Sequence, residues 1–448
     1  TLLGSMKAIV GNNIYVDDAF RPGAILVEEG RIVEFVEKLP ENYAGQIDQV
    51  ADLYVMPGIV DTHVHINEPG RTDWEGFETA TKAAAAGGIT TVVDMPLNCL
   101  PVTTTVENFQ TKLREVDGKL WVDTGFWGGV VPDSIDSLDE LLGSGVLGVK
   151  SFTIDSGIPE FPEMTKADLE RAMPIVARHQ LPYLIHAELE DKTGNVKIDK
   201  KYQSFLDSRP RSWENNAIQM MLELCKKNLC RTHIVHLSSS DAIELINEAK
   251  SEGLPLTVET CPHYLTFHSE NIEDGKTLFK CCPPIREKEN CEKLWQGIKD
   301  GSLDFIVSDH SPCTAGLKKL EQGDFGEAWV GISSLQCSLP LVWTEAEQHG
   351  VNLNKLPKLL CQRTAEFIGL GDSKGRIQAG YDADFVIWDP NEDFVITAEM
   401  IQFKNKITPY EGRRLKGVVY ATYLRGEKIV EKGQFTGPVA TGKKLLRK

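Results

Sequence analysis

Eight short apolar segments alternate with helical patterns between residues 58 and 307, and this alternation constrains the fold more than any other feature of the chain. The predicted strands cover residues 59–64, 89–93, 121–126, 146–152, 181–187, 232–237, 256–260 and 303–307. Eight β–α units within about 250 to 300 residues are typical of a (β/α)₈ barrel. An open, doubly wound sheet is the alternative, but no glycine-rich phosphate loop follows the first strand.

Strand patterns return at both ends of the chain. Residues 8–16 and 24–36 alternate apolar and polar side chains around a turn at Glu29-Gly30, and residues 384–388, 418–424 and 428–430 are again strand-like. We therefore predict an α/β protein in which residues 58–371 form a (β/α)₈ TIM barrel. Residues 1–57 and 372–448 are expected to pair into one small β-sandwich domain.

Metal-binding residue types follow five of the predicted barrel strands at their carboxyl ends, where barrel active sites lie. They are His63 and His65 at the end of the first strand, Lys150 at the end of the fourth, His186 at the end of the fifth, His236 at the end of the sixth and Asp309 at the end of the eighth. Each has an ordinary structural interpretation, such as a buried hydrogen-bonding histidine or a helix N-cap. Six at equivalent positions are better explained by a metal site, since imidazole and carboxylate are common ligands.

Strand parity separates the predicted ligands from neighbouring histidines. His233 and His236 are three residues apart, so they cannot share one face of a strand, and His236 lies nearer the carboxyl end. His310 should point away from the site because it adjoins Asp309. For His263 both a place near the ligands and a purely structural role remain open.

Composition limits the partners and the compartment. The formal net charge of −17 disfavours nucleic acid and anionic membrane surfaces, and no apolar run approaches the ~20 residues of a membrane span. Ten cysteines without a repeating framework and no visible secretory signal predict a reducing, intracellular compartment, either cytoplasmic or peroxisomal. Gly4-Ser5 before Met6 resembles a cloning remnant, so a natural targeting segment is not excluded.

The motifs resemble those of the cyclic amidohydrolases of the amidohydrolase superfamily. The matching runs are DTHVH at 61–65, GVK at 148–150, HLS at 236–238, SDHSP at 308–312, KGRI at 374–377 and GYDAD at 380–384, together with His186. Within this group the greatest likeness is to the enzymes that hydrolyse allantoin. It is carried by NEPGR at 67–71, WEGFET at 74–79, DMPLN at 94–98, FWGG at 126–129, HAE at 186–188, ETCPHY at 259–264 and KCCPPIR at 280–286. The resemblance covers nearly the whole chain.

This resemblance implies a hydrolase with two Zn²⁺ ions. The implied ligands are His63, His65 and Asp309 on one ion, His186 and His236 on the other, and Lys150 between them. Lys150 would be carbamylated by carbon dioxide so that two oxygens bridge the ions. A hydroxide between the ions would attack the ring amide, and Asp309 would carry its proton to the leaving nitrogen. The resemblance also implies substrate contacts from Asn98, Cys282 and Ser311, and a homotetramer.

Departures from related enzymes guide the choice of substrate. Dihydroorotases usually carry an arginine and a histidine for a carboxylate where this chain has Asn67 and Cys313, and dihydropyrimidinases usually carry a tyrosine where it has Asp155. These differences favour neutral allantoin, with allantoate as product, and leave another cyclic amide as the alternative. Allantoin-hydrolysing enzymes commonly read AWGG where residues 328–331 read AWVG, so Val330 either narrows the pocket or is tolerated.

A non-enzymatic scaffold is the remaining alternative, because the collapsin response mediator proteins keep this fold and act through partners. Their signature is the loss of metal ligands. All six ligand positions are filled here, which favours an enzyme.

Overall fold

The computed structural model describes residues 6–448; residues 1–5, including the Gly4-Ser5 remnant, lie outside the described residues. The strands are β1 (Lys7–Val16), β2 (Ala19–Glu28), β3 (Arg31–Val36), β4 (Gln46–Pro57), β5 (Ile59–Val64), β6 (Ile89–Asp94), β7 (Asp123–Phe126), β8 (Gly128–Gly129), β9 (Val149–Phe152), β10 (Tyr183–His186), β11 (Thr232–Ile234), β12 (Leu256–Thr260), β13 (Phe305–Ile306), β14 (Phe385–Val395), β15 (Arg414–Leu424), β16 (Glu427–Glu431), β17 (Gln434–Phe435) and β18 (Lys444–Leu445).

The helices are α1 (Phe77–Ala86), α2 (Val106–Arg114), α3 (Leu138–Leu142), α4 (Lys166–His179), α5 (Tyr202–Ser208), α6 (Arg211–Asn228), α7 (Ile243–Ser251), α8 (Pro262–Thr266), α9 (Lys288–Asp300), α10 (Ser338–Gln348) and α11 (Arg363–Phe367). Within residues 6–448, none of them combines the length and the apolar composition that a bilayer span needs.

The strands of the central region close into a parallel barrel. β5, β6 and β7 pair in sequence order, and β8 to β13 do the same. Leu147 N donates to Phe126 O at 2.9 Å and joins the two sets. His65 N donates to His310 O at 2.8 Å beside a parallel bridge between Val64 and His310, which joins the last strand to the first. The predicted fold class is therefore confirmed.

Burial explains why these segments form barrel strands and surrounding helices. Every residue of β5, β6, β7, β9 and β10 is buried, as expected for parallel strands covered on both faces. Around them the helices bury one stripe; in α9 the buried stripe includes Cys291, Leu294, Trp295 and Ile298. The helix ends at Gly301, whose φ of 82° is a left-handed conformation that glycine adopts without a steric cost.

The predicted sixth strand is too long. It was expected over residues 232–237, but β11 ends at Ile234. Two residues later His236 has a φ of 38°, and this left-handed backbone interrupts the regular parallel pairing before Leu237 N donates to Glu259 O at 2.8 Å. His236 therefore lies just beyond the strand rather than on it.

Strands from both ends of the chain form one eight-stranded sheet in the order β17-β16-β15-β14-β4-β1-β2-β3. The central junction is the antiparallel pairing of β4 with β14, in which Val55 lies opposite Ile387. The domain boundaries at residues 57 and 372 stay a prediction. The last strand, β18, leaves this sheet and pairs in parallel with barrel strand β7.

A buried cluster of ion pairs connects the segment around this sheet to the amino end of barrel strand β7. Lys374 Nζ lies 2.9 Å from Asp123, 2.9 Å from Asp382 and 2.8 Å from Asp384. Arg425 adds a second cation at 2.5 Å from Asp123, the first residue of β7. The three carboxylates supply Lys374 with enough opposite charge and hydrogen bonds to keep it buried.

Candidate active site

Five of the six predicted ligands line a cavity of about 330 Å³ at the carboxyl ends of the barrel strands: His65, Lys150, His186, His236 and Asp309. The sixth, His63, is fully buried beneath it and lies against Asp309. The structure thus brings together residues that are up to 246 positions apart in the chain, since His63 and Asp309 are neighbours.

Asp309 is the centre of the first group of ligand atoms. Its Oδ1 lies 2.9 Å from His63 Nε2 and 3.5 Å from His65 Nε2. His63 Nε2 has no hydrogen-bond partner of suitable angle among the described residues. Ligand atoms of the three residues lie within 4.8 Å of one another, which is close enough to hold one metal ion.

The second group consists of His186 and His236, whose ring centroids are 4.6 Å apart. His236 is also near the first group, since its ring centroid lies 5.5 Å from that of His63. Within residues 6–448 the buried His236 Nδ1 has no hydrogen-bond partner. Buried polar atoms are normally paired, so this gap fits a site that is completed by a bound ion or water.

Glu259, at the end of the seventh barrel strand, orients His63. Its Oε2 lies 2.7 Å from His63 Nδ1 and its Oε1 2.7 Å from His233 Nε2. Burial would raise the pKa of Glu259, but His63 and His233 lower it to about 2. The ionised carboxylate accepts a hydrogen bond from His63 Nδ1–H. The proton therefore stays on Nδ1, and Nε2 keeps the lone pair that a metal ion can bind.

Glu188 does the same for His186. Its Oε1 lies 2.7 Å from His186 Nε2, which leaves Nδ1 as the remaining ligand atom of that ring. Arg209 holds Glu188 with two hydrogen bonds of 3.1 and 2.6 Å. Burial opposes ionisation of Glu188, yet Arg209 and His186 lower its pKa to about 2.

Neither orienting carboxylate was identified from the sequence as part of the site. Glu188 lies two residues after His186, so strand parity could have suggested it. Glu259 gives no such signal, because its partners come from the first and sixth barrel strands.

Lys150 is buried among these ligands with an exposed fraction of 1%. Burial lowers its pKa to about 8, and Asp309 and Glu259 offset this only in part. A substantial neutral fraction is thus accessible near neutral pH, and only a neutral amine can react with carbon dioxide. The environment of Lys150 therefore suits carbamylation.

Two neighbouring histidines make contacts away from the ligand group. His310 Nε2 lies 2.7 Å from Glu75, and its Nδ1 accepts a hydrogen bond from Ser334 N at 3.1 Å. His233 contacts Glu259 and Thr257. His263 is different: it is fully buried near Asp309, and within the described residues neither ring nitrogen has a hydrogen-bond partner.

The predicted substrate contacts Asn98, Cys282 and Ser311 all line the cavity, and so do Asp155 and Val330. The two positions compared with dihydroorotases lie deeper in the protein. Asn67 is 1% exposed and its Nδ2 donates to Pro312 O at 3.4 Å, beside the equally buried Cys313.

Among the described residues, four of the thirteen positions other than glycine with a left-handed backbone lie at or near this cavity. They occur at Asn67 (φ 67°), Asn98 (φ 68°), His236 (φ 38°) and Asp309 (φ 47°). Such conformations cost free energy for residues other than glycine and are typical of functional sites. Two of the four are predicted metal ligands.

Comparison with known proteins agrees with this geometry. The amidohydrolase family model matches residues 54–429. The chain is 47% identical to an allantoinase of Streptomyces avermitilis, with 95% of each chain covered. It is 42% identical to the Saccharomyces cerevisiae allantoinase, with 98% of this chain and 99% of the relative covered.

Solved structures show the same architecture. The L-hydantoinase (dihydropyrimidinase) of Arthrobacter aurescens matches with a TM-score of 0.93 and 28% identity, covering 98% of this chain and 99% of the other. The dihydropyrimidinase of Brevibacillus agri matches with a TM-score of 0.88 and 25% identity, with 98% of each chain covered. The resemblance found from the motifs is confirmed. The chain belongs to the amidohydrolase family, and the two relatives named above are allantoinases of similar sequence.

Proposed function

We propose that this protein is an allantoinase, which hydrolyses a ring amide of allantoin to give allantoate in purine degradation. The supporting observation is the convergence of His63, His65, Lys150, His186, His236 and Asp309 in a chain whose curated relatives are allantoinases. A metal-free scaffold is disfavoured because no ligand position has been lost.

We propose that the cofactor is a pair of Zn²⁺ ions. His63, His65 and Asp309 would hold one and His186 and His236 the other, with carbamylated Lys150 shared between them. The unpaired nitrogens of His63 and His236 and the two orienting carboxylates support this assignment. When bound, such ions activate a water molecule and polarise the amide carbonyl.

Asp309 is the proposed proton carrier. Burial alone would raise its pKa, but the neighbouring His63 lowers the pKa well below its usual range, so the carboxylate is ionised and can act as a base. It takes the proton from the attacking water and delivers it to the leaving ring nitrogen. The carbon–oxygen bond forms, the carbon–nitrogen bond breaks, and the proton ends on the released nitrogen, which belongs to a ureido group of the product.

A hydantoinase or dihydropyrimidinase activity is the second candidate, because the solved structures of similar fold carry those names. At the position where those enzymes are expected to place a tyrosine hydroxyl, this cavity has Asp155. An anionic ring is disfavoured further, since the buried Asn67 and Cys313 offer no cation for a carboxylate.

The test is a comparison of allantoin, dihydroorotate and dihydrouracil with one metal-replete preparation. Each missing charged hydrogen bond costs about 1.5 to 3 kcal/mol. With two such contacts missing, kcat/KM for allantoin should exceed that for dihydroorotate by on the order of 10² to 10⁴. Equal turnover of dihydroorotate or dihydrouracil would reject the allantoinase assignment and leave the broader cyclic amidohydrolase class.

Assembly and compartment are part of the same proposal. We expect a homotetramer in the cytoplasm or in peroxisomes, by analogy with the family. Light scattering coupled to size-exclusion chromatography tests the first, and a tagged full-length protein tests the second.

A further inference from the structure

Two lysines are buried beside one wall of the cavity, and Lys280 itself contributes to the cavity lining. Lys280 is 7% exposed and Lys318 is 3% exposed. Among the described residues neither ammonium group forms an ion pair with a carboxylate; their partners are carbonyl oxygens instead. Burying a charge is costly unless it is well hydrogen-bonded, so these positions need an explanation.

Both lysines donate to the same short segment. Lys280 Nζ donates to Ala328 O at 2.8 Å. Lys318 Nζ donates to Trp329 O at 2.8 Å and to Gly331 O at 2.5 Å. All four residues 328–331 line the cavity that the ligand group also lines. Three of the four carbonyls of this wall are thus held by ammonium groups.

The amide groups of the wall are nearly all used as well. Ala328 N donates to Asp324 O, Trp329 N to Leu317 O and Gly331 N to Lys280 O, at 3.1, 2.8 and 2.9 Å. Within the described part of the chain, Val330 alone among residues 328–331 has neither its N–H nor its C=O paired with protein. The wall therefore leaves the N–H and the C=O of Val330, which belong to two successive peptide groups, available beside the cavity.

The surroundings make this arrangement rigid. Gly331 has a φ of 117°, and an added Cβ would lie 2.4 Å from Ser311 O, so the chain passes too close for any other residue. Thr277, three residues before Lys280, donates its Oγ1 hydrogen bond to Lys318 O at 2.6 Å. This bond links the backbone of Lys318 to the segment that contains Lys280. Burial lowers the pKa of Lys318 to about 8.

We propose that Lys280 and Lys318 are positioning residues, which hold residues 328–331 so that the N–H and the C=O of Val330 face a cyclic amide in the cavity. The inference rests on the proposed function. A ring amide offers a carbonyl acceptor and an N–H donor, and the N–H and C=O of one fixed residue offer the complementary pair. Because both ground state and transition state would use this contact, its loss should weaken binding more than it slows the chemical step.

The test compares Lys318→Met and Lys280→Met, which keep the apolar stem and remove the donor, with Lys250→Met as a control. Lys250 Nζ also donates to a backbone carbonyl, Ser302 O at 3.0 Å, but Lys250 lies in α7 and outside the cavity lining. For each variant we would measure kcat and KM on allantoin, bound zinc, and hydrogen exchange of the Trp329 and Gly331 amides.

We expect KM to rise at least about tenfold in Lys318→Met, with kcat and zinc content near those of the wild type. The Trp329 and Gly331 amides should exchange faster in Lys318→Met than in the control. Lys280→Met, which removes one hydrogen bond instead of two, should show the same pattern to a smaller extent and decides the matter if Lys318→Met does not fold.

Unchanged KM in both variants, or loss of zinc together with kcat, would overturn the positioning role. A wild-type protein that is loaded with zinc yet inert towards allantoin would reject the proposed function instead. The exchange measurement would then still report on the two lysines, and KM would be measured with whichever cyclic amide is hydrolysed.

Discussion

Replacing Glu259 by Gln tests whether the orienting carboxylates set the metal affinity of this site. Glu259 is completely buried and holds His63 through one oxygen and His233 through the other, both at 2.7 Å. Gln keeps the shape and one acceptor oxygen. His233 can turn its other nitrogen into the donor because Thr257 Oγ1, 2.7 Å away, is able to accept. The substitution therefore removes mainly the negative charge.

The magnitude follows from the hydrogen bond to His63. A bond to a charged group contributes about 1.5 to 3 kcal/mol and a neutral one about 0.5 to 1.5 kcal/mol. A loss of about 1 to 2 kcal/mol corresponds to roughly a 5- to 30-fold weaker zinc affinity. This lies within or close to the range of about 10 to 100-fold that is usual for such orienting groups.

The assay is a competition titration of zinc against a chromophoric chelator, with folding checked by circular dichroism. Glu75→Gln is the matched control, because Glu75 is equally buried and pairs at 2.7 Å with His310, which is not a proposed ligand. Glu259→Gln should raise the zinc Kd and Glu75→Gln should leave it unchanged. A wild-type Kd in Glu259→Gln, or an equal rise in both variants, would refute the reasoning.

Three further substitutions give distinct outcomes. Lys150→Ala should lose the two-metal centre, which elemental analysis would show, and short carboxylic acids should restore part of the activity; full metal content would contradict the carbamate role. Asp309→Asn should fold but lower kcat by at least ~10²-fold, the usual contribution of an acid–base group; a decrease below about tenfold would exclude a proton-transfer role. Lys374→Met should lower the free energy of unfolding by about 3 to 5 kcal/mol, because Asp123 and Asp384 stay buried with less opposite charge. Denaturant unfolding measures this change. A loss under about 1 kcal/mol would contradict the role of Lys374 in the buried ionic cluster.

The sequence was sufficient to predict the barrel and the metal-binding residues at the carboxyl ends of its strands, because both depend on local patterns. His63, Lys150 and His186 each lie on an apolar strand, and the fold class then requires that the carboxyl ends of these strands meet. Strand length was less predictable, since the left-handed turn at His236 depends on the site it serves. Lys280 opens the motif KCCPPIR, but nothing local to Lys280 or Lys318 indicates that the side chain is buried, because only long-range folding places both lysines against residues 328–331.

The pairing of β4 with β14 has a consequence for synthesis of the chain. β4 is complete at Pro57, but its partner begins only at Phe385. Between these points the ribosome makes the whole barrel region, at about 5 to 20 residues per second. For that interval β4 has an unsatisfied edge, and such edges favour pairing with other chains. The β1–β4 segment therefore needs protection from such pairing until the ribosome has made Phe385 and the rest of β14.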